Sequence, residues 1–199
     1  MTSTPPFDAI LLISFGGPRG LKDIRPFLAN VLRGRHVPAE RLDSVVHHYE
    51  LFGGVSPLTE ITTRQAEGLR QRLQPLALPV YVGMRNWHPF LSDTLQTMTV
   101  DGMRRILALT LAPHHSYSSC GQYKQNVLQA LNANHLAGHH LEVTYASGWH
   151  THPKFVEANA DLFQGAAACR VVSPVGTTHA ATSSWCSGGC CTLARTRAG

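Results

Sequence analysis

Residues Arg105 to Tyr123, RILALTLAPHHSYSSCGQY, contain the stretch that decides the fold. Its first part, Ile106 to Leu111, is an apolar run rich in Leu and Ile, and Pro113 ends it. Such a run is typical of a strand that is buried on both faces of a parallel sheet. A polar loop from His114 to Cys120 follows directly. Because ligands in open α/β sheets bind beyond the carboxyl ends of the strands, this loop is the first candidate for a site.

Strand and helix patterns alternate on both sides of this stretch. Further strands are predicted over residues 8–15, 79–84 and 141–146, and helices over 21–32, 39–49, 59–73, the segment after Pro89, 122–131 and the segment from Pro153. This alternation predicts the α/β class, with a doubly wound parallel sheet of four strands flanked by helices.

The spacing of apolar residues predicts which helix faces turn inward. In the helix after Pro89 the inward residues are Leu91, Leu95 and Met98. In the helix over 59–73 they are Ile61, Ala66, Leu69 and Leu73, with Thr59 as the N-cap. In the helix from Pro153 they are Phe155, Val156, Ala160 and Phe163.

The pattern ends near Phe163. Residues 164–199 are rich in Ala, Ser, Thr, Gly and Cys and contain no acidic residue. We therefore predict a folded lobe over 1–163 and an irregular tail over 164–199, either disordered or produced by a slip of the reading frame. Four cysteines of the tail have a spacing typical of neither a zinc nor an iron–sulfur site: Cys169, Cys186, Cys190 and Cys191.

Composition limits the classes of function. Hydrophobic residues make up 43% of the 199 residues, and no apolar run approaches the length of a membrane span. The net charge of +5 favours an anionic ligand, but no Lys/Arg run marks a nucleic-acid surface. A small molecule with carboxylates or phosphates is the better interpretation. The amino terminus lacks the basic region of a signal peptide, so we expect a cytoplasmic protein.

Five motifs occur in an order and at spacings that resemble the ferrochelatases. They are LLISFGGP (11–18), YELFGGVSPL (49–58), VGMRNWHPF (82–90), LAPHHS (111–116) and WHTHPKFV (149–156). The resemblance covers about residues 8–163 and implies the first of two Rossmann-like lobes. It also implies insertion of Fe²⁺ into protoporphyrin IX or coproporphyrin III in haem biosynthesis, a lyase reaction. Porphyrin and ferrous iron would be the substrates; no cofactor is required, and the cysteine spacing does not suggest a [2Fe–2S] cluster.

The same resemblance implies a set of tetrapyrrole-binding residues. Phe15 stands where some relatives have a tyrosine that ligates the metal, which a phenylalanine cannot do. Trp87 fits a pocket wall or an ordinary core position, and Tyr49 and Tyr123 equally fit half-buried packing. The complete set is Phe15, Arg33, Arg35, His48, Tyr49, Ser56, Trp87 and Tyr123.

No catalytic residue is assigned firmly. His88 and His114 follow strands that we predict to be neighbours, so both are candidates for catalysis. His114 is also a candidate for metal binding. The alternative for each histidine is an ordinary surface position. The resemblance places the catalytic histidine and a glutamate in a second lobe without a match here, so we expect a truncated chain that is not active alone. A homodimeric single-lobe chelatase of cobalt or sirohydrochlorin type, and a non-catalytic tetrapyrrole-binding protein, remain alternatives. The oligomeric state stays open.

Overall fold

The structure is a computed structural model that describes residues 6–114, 116–133, 141–146 and 148–168. Its strands are β1 (Ala9–Ser14), β2 (Val80–Met84), β3 (Arg105–Thr110) and β4 (Glu142–Tyr145). All pair in parallel, in the order β2-β1-β3-β4. The predicted four-stranded parallel sheet is therefore confirmed.

Six α-helices are described: α1 (Ile24–Val31), α2 (Ala39–Leu51), α3 (Leu58–Leu73), α4 (Leu91–Val100), α5 (Gln122–Ala133) and α6 (Pro153–Ala168). The chain divides into two compact units, Met1–Gly148 and Trp149–Gly199. The first unit contains the sheet with α1–α5, and the second contains α6. Within the described residues, no helix combines the length and apolarity needed to cross a bilayer.

Alternate residues of β1 build two cores, one on each face of the sheet. Ala9, Leu11 and Ile13 pack in one cluster with residues of α4 and α5, which include Leu91, Leu95, Met98 and Val127. Ile10 and Leu12 pack in the other with Ala66 of α3. Since side chains of a strand point alternately to opposite faces, a central strand covered on both faces is apolar on both, and β1 is apolar at each position from Ala9 to Ile13. The predicted double winding and the inward face of α4 are confirmed.

A third core lies where α1 meets α2. It contains Ile24, Phe27 and Leu28 of α1 and Val46 of α2. Half-buried aromatic residues from the loops after β1 and β2 pack against it: Phe15 and Trp87. This contact places α1 and α2 beside the carboxyl end of the sheet, where the site is expected.

Three details of α3 and α5 differ from the sequence predictions. Near the start of α3, Thr62 is buried and Ile61 is 39% exposed, although Ile61 was predicted to turn inward. Thr62 can be buried because its hydroxyl forms a 3.0 Å hydrogen bond with the Ser14 hydroxyl. Thr59 is not the N-cap: α3 begins one residue earlier, at Leu58. The segment before α5 is not wholly a loop, since Tyr117–Gly121 forms a π-helical turn.

The helix α6 extends beyond its predicted end at Phe163 as far as Ala168. The stretch Gly165–Ala168 contains three alanines, which favour continued helix. Val156 and Phe163 are 53% and 78% exposed, so the prediction that they turn inward is wrong. An apolar repeat defines a helix face but not what covers it. Most of the predicted tail, 169–199, lies outside the described residues, and the domain boundary at 163 stays a prediction.

Candidate functional site

The loops after β1 and β2 are joined by hydrogen bonds of the main chain and of Asn86. The backbone N–H of Arg85 donates to the Ser14 carbonyl at 3.0 Å. The backbone N–H and the Nδ2 of Asn86 both donate to the Phe15 carbonyl, each at 3.1 Å. Nδ2 of Asn30, in α1, donates to the Asn86 carbonyl at 3.2 Å. Asn86 is only 3% exposed, so this buried amide fixes the backbone of Phe15 relative to α1.

The loop between α2 and α3 is held against the loop after β1. The Ser56 N–H donates to the Pro18 carbonyl at 2.8 Å. A side chain at Gly17 would make its Cβ overlap the Cβ of Ser56, and a side chain at Gly54 would put its Cβ 2.5 Å from the Leu21 backbone nitrogen. Gly54 also has a φ of +74°, which favours glycine. The GGP and GGVSP sequences therefore provide this close backbone contact.

Four aromatic residues form what we call the aromatic wall: Phe15, Phe27, Tyr49 and Trp87. Phe27 is the buried centre, and the other three rings meet it edge to face at centroid distances of 6.1, 6.0 and 6.3 Å. Burial raises the pKa of Tyr49, so its hydroxyl stays neutral near pH 7. The predicted residues Phe15, Tyr49 and Trp87 are thus brought together by a core residue that the sequence analysis did not place in the site.

Arg85 connects the aromatic wall to Tyr123. Its guanidinium carbon lies 5.8 Å from the Phe15 ring centroid and 6.0 Å from the Tyr123 ring centroid. Burial lowers the pKa of Arg85, and the nearby charge of Arg35 lowers it further. Burial also raises the pKa of Tyr123, partly offset by Arg85. In the described part of the chain, Arg85 has no carboxylate partner within ion-pair distance.

A polar cavity of about 400 Å³ opens beside Arg85, between the end of α1, the loop after β2 and α5. Arg33, Arg35 and Arg85 all line it. Nη2 of Arg33 donates to Asn30 Oδ1 at 2.8 Å, which holds the side chain near the cavity. Among the described residues that line it, none is Asp, Glu or His. The cavity therefore offers positive charge without a base and is suited to an anion.

The histidine candidates do not form a common group. His88 follows β2 and His114 follows β3, but β1 lies between these strands, so the prediction that they are neighbours is wrong. The order of the strands in the chain differs from their order in the sheet, because β1 lies between β2 and β3. His88 and His114 are both exposed, and so is His48 on α2. Across the described ranges no group of three His, Cys, Asp or Glu residues is placed to bind a metal. His115 lies outside those ranges, and metal binding by His114 stays a prediction.

Sequence reasoning missed the residues that position the site. Asn30 and Asn86 hold the loops, and nothing in the local pattern distinguishes them from surface asparagines. Phe27 belongs to the apolar repeat of the predicted helix over residues 21–32, and that repeat indicates a core position without assigning it to a site. Arg85 had one available signal, its place directly after a predicted strand.

Comparison with known proteins shows similarity to one family. The family model described as Ferrochelatase matches residues 7–179. The coproporphyrin III ferrochelatase of Streptomyces coelicolor is 48% identical over 159 residues, 78% of this chain and 42% of the relative. The ferrochelatase of Rhodopirellula baltica is 42% identical over 179 residues, 89% of this chain and 50% of the relative. The coproporphyrin III ferrochelatase of Mycobacterium avium is 47% identical over 163 residues, 81% of this chain and 47% of the relative.

The chain therefore spans about half the length of the curated relatives that it matches, 42% to 50% of those three. The family match also continues past residue 163, where the sequence analysis ended the resemblance.

Proposed function

The chain belongs to the ferrochelatase family, and we propose that its first unit forms one wall of a cleft in which Fe²⁺ is inserted into a porphyrin. The observation that carries the proposal is the aromatic wall beside a cavity lined by three arginines. A porphyrin is a flat apolar ring with carboxylates at its edge, and such a ligand needs both kinds of surface.

Two of the three relatives named above carry the name coproporphyrin III ferrochelatase, which makes coproporphyrin III our proposed substrate. This ring has four carboxylates, whereas protoporphyrin IX has two. The arginine side chains at residues 33, 35 and 85 give the edge of the aromatic wall positive charge, and no acid is among the described residues that line the cavity beside it. That excess suits the more highly charged ring.

The described wall binds and orients the ring but does not carry out the proton transfer. Metal insertion releases two protons from the pyrrole nitrogens as Fe²⁺ enters, and a base must accept them within about 3 Å or through one water. Phe15 offers neither a metal ligand nor a base, and no Asp, Glu or His is among the described residues that line the cavity. We propose that the base comes from outside the described lobe. A ring held from one side only is also open to water, which weakens positioning.

A fusion protein tests this function. Residues 1–168 would be joined to the carboxyl-terminal remainder of the Streptomyces coelicolor relative, and Fe²⁺ insertion into coproporphyrin III followed by absorbance. We expect the 199-residue chain to show no insertion above the uncatalysed rate and the fusion to exceed it by about 100-fold or more, the usual contribution of a positioned base.

Variants of the fusion locate the site. Trp87→Leu should reduce the rate, because it removes a ring of the aromatic wall. Arg25→Met is the matched control, since Arg25 is exposed and pairs with Asp43. A folded fusion that binds no coproporphyrin III would contradict the proposed function. Turnover by the unfused chain, abolished by His114→Ala or His88→Ala, would move the catalytic histidine into this lobe.

A further inference from the structure

The strand β2 lies at one edge of the described sheet, and a groove of about 600 Å³ borders its outer side. The Pro79 carbonyl accepts a hydrogen bond from β1, and the Arg85 N–H donates one to β1. Backbone groups of successive strand residues point in alternate directions. The N–H and carbonyl groups of Val80, Val82 and Met84 therefore face away from the sheet, where a further strand would lie.

Arg70 of α3 occupies the first of these outward carbonyls. Its Nε and Nη2 donate to the Val80 carbonyl at 3.2 and 2.8 Å. Its Nη1 donates to Oε2 of Glu67, one turn earlier in the same helix, at 3.3 Å. Since a carbonyl oxygen has two lone pairs, the two bonds from Arg70 leave none for another donor. The guanidinium thus covers the strand edge, although its side chain is 43% exposed and has room to extend into water.

Thr94 of α4 occupies the second outward carbonyl. It is only 7% exposed, and its Oγ1 lies 2.9 Å from the Val82 carbonyl and 3.1 Å from the Phe90 carbonyl of its own helix. The Met84 N–H, also on the outer side, donates to the Pro89 carbonyl at 2.7 Å. Because α3 and α4 pack on opposite faces of the sheet, the edge is capped from both faces.

These caps matter because the strand itself is suited to pairing with another molecule. Its sequence, VYVGM, is rich in β-branched and aromatic residues and carries no charge, a composition that favours self-association of strands. In an antiparallel pair, a residue whose N–H and carbonyl both face outward exchanges two hydrogen bonds with the residue opposite. At Val80 and Val82 the carbonyls are occupied, so only the N–H groups are left for an incoming strand.

We propose that Arg70 and Thr94 close the β2 edge against the same edge of a second copy of this chain. Without their donors, two β2 strands pair antiparallel about a two-fold axis, since such an interface uses the same surface on both copies. The proposal goes beyond the proposed function and does not depend on it, because neither residue belongs to the aromatic wall or lines the polar cavity.

The test compares the full 199-residue chain with the double variant Arg70→Ser, Thr94→Val by sedimentation equilibrium over about a hundredfold range of concentration. We expect the association constant to rise by about tenfold or more above the wild-type value, or above the detection limit if the wild type is monomeric, since each copy regains pairing hydrogen bonds. The matched control is Arg72→Ser with Thr97→Val, on the same two helices. Arg72 is exposed, and Thr97 donates only to the Asp93 carbonyl of its own helix, so the control should associate like the wild type.

A third substitution identifies the surface. Val82→Pro removes an N–H that faces the groove and no hydrogen bond to β1, and an edge strand tolerates proline at such a position. Added to the double variant, it should return the association constant to within about twofold of the wild-type value, because the proline ring also blocks the approach of a strand.

Circular dichroism establishes that each variant is folded. A folded double variant that associates no more than the wild type would overturn the proposal. So would association that Val82→Pro leaves unchanged, because the copies would then meet through another surface. If the double variant does not fold, Arg70→Ser alone decides the question, since it changes an exposed side chain: we expect a rise of about threefold or more, and no rise would overturn the proposal.

Discussion

At the amino end of the sheet an arginine has a carboxylate partner, whereas at the carboxyl end an arginine has aromatic rings instead. Arg105 donates from Nε and Nη2 to Asp8 Oδ1 at 3.2 and 2.7 Å. Asp8 Oδ2 also accepts the backbone N–H groups of Arg104 and Arg105. These bonds join the start of β1 to the start of β3. Arg85, by contrast, is held between two rings without an acid beside it in the described chain.

The two ends therefore differ in what their arginines contact. The Arg105–Asp8 ion pair joins two strands of the fold, whereas Arg85 has no ion-pair partner in the described chain. The hydrogen bonds from Arg105 lower the pKa of Asp8 from 3.8 to about 2, so the chain itself stabilises the carboxylate. At the carboxyl end the loops are held by backbone contacts at Gly17 and Gly54 and by the amide of Asn86. There the guanidinium of Arg85 contacts two aromatic rings and forms no ion pair within the described chain.

The largest expected effect tests whether close backbone contact holds the carboxyl end. Gly54→Ala should lower the free energy of unfolding by about 3 kcal/mol or more, since it adds overlap with the Leu21 backbone to the strain of positive φ. Gly53→Ala is the matched control: its φ is also positive, +67°, but a Cβ there would meet nothing within 4 Å. The Gly53→Ala variant should lose about 1 to 2 kcal/mol of its free energy of unfolding. Urea unfolding measures both, and equal losses would show that the contact is unimportant.

A smaller effect is expected at the amino end. Asp8→Ala removes the acceptor of two backbone and two side-chain hydrogen bonds and should cost about 1 to 2 kcal/mol, because the pair is partly exposed and water reduces its charge interaction. Asp43→Ala, which removes the exposed partner of Arg25, should change stability by less than about 0.5 kcal/mol. If the two variants unfold at the same urea concentration, the amino-end pair is not a structural clamp.

Lowering the pH should remove part of the stabilisation that Asp8 provides. Because the pKa of Asp8 is lower in the folded protein, its contribution is fully present above the ordinary value of 3.8 and is lost as the pH falls towards about 2. Asp8→Asn cannot titrate, so the difference in Tm between wild type and variant should shrink between pH 4 and pH 2. A constant difference over that range would assign the effect to packing instead of charge.

The smallest effect is expected for Arg85→Met without ligand. The variant loses no ion pair in the described chain, and the cost of burying the charge offsets the two ring contacts that it gives up, so stability should change by less than about 0.5 kcal/mol. Arg105→Met should lose more stability than Arg85→Met but less than Asp8→Ala, since Asp8 Oδ2 still accepts the backbone N–H groups of residues 104 and 105. A loss above 1 kcal/mol for Arg85→Met would mean that both arginines serve the fold, and the contrast between the two ends would disappear.

Much of the fold could be predicted because its signals are local. The apolar run of β3 and the inward residues Leu91, Leu95 and Met98 of α4 follow from spacing in the sequence. The three residues of α4 are buried, but in β3 only Ile106 and Ala108 are, whereas Leu107 and Leu109 on the other face are half-buried. Thr62 could not be predicted, since a threonine is buried there only because Ser14, 48 residues away in sequence, supplies a hydroxyl partner. For the site, the motifs grouped Phe15, Tyr49 and Trp87, which the structure brings around Phe27. Their role with a porphyrin stays a prediction.

The sequence by itself determined the alternation of strands and helices, which depends on residues close together in the chain, and the family, which follows from motifs in a fixed order along it. Only the tertiary structure decided that β1 lies between β2 and β3, which separates the loops of His88 and His114. The tertiary structure also decided that the Arg85 guanidinium contacts the rings of Phe15 and Tyr123, and that Arg105 pairs with Asp8. Strand order and side-chain partners depend on contacts between residues far apart in the chain, and local periodicity carries no information about them.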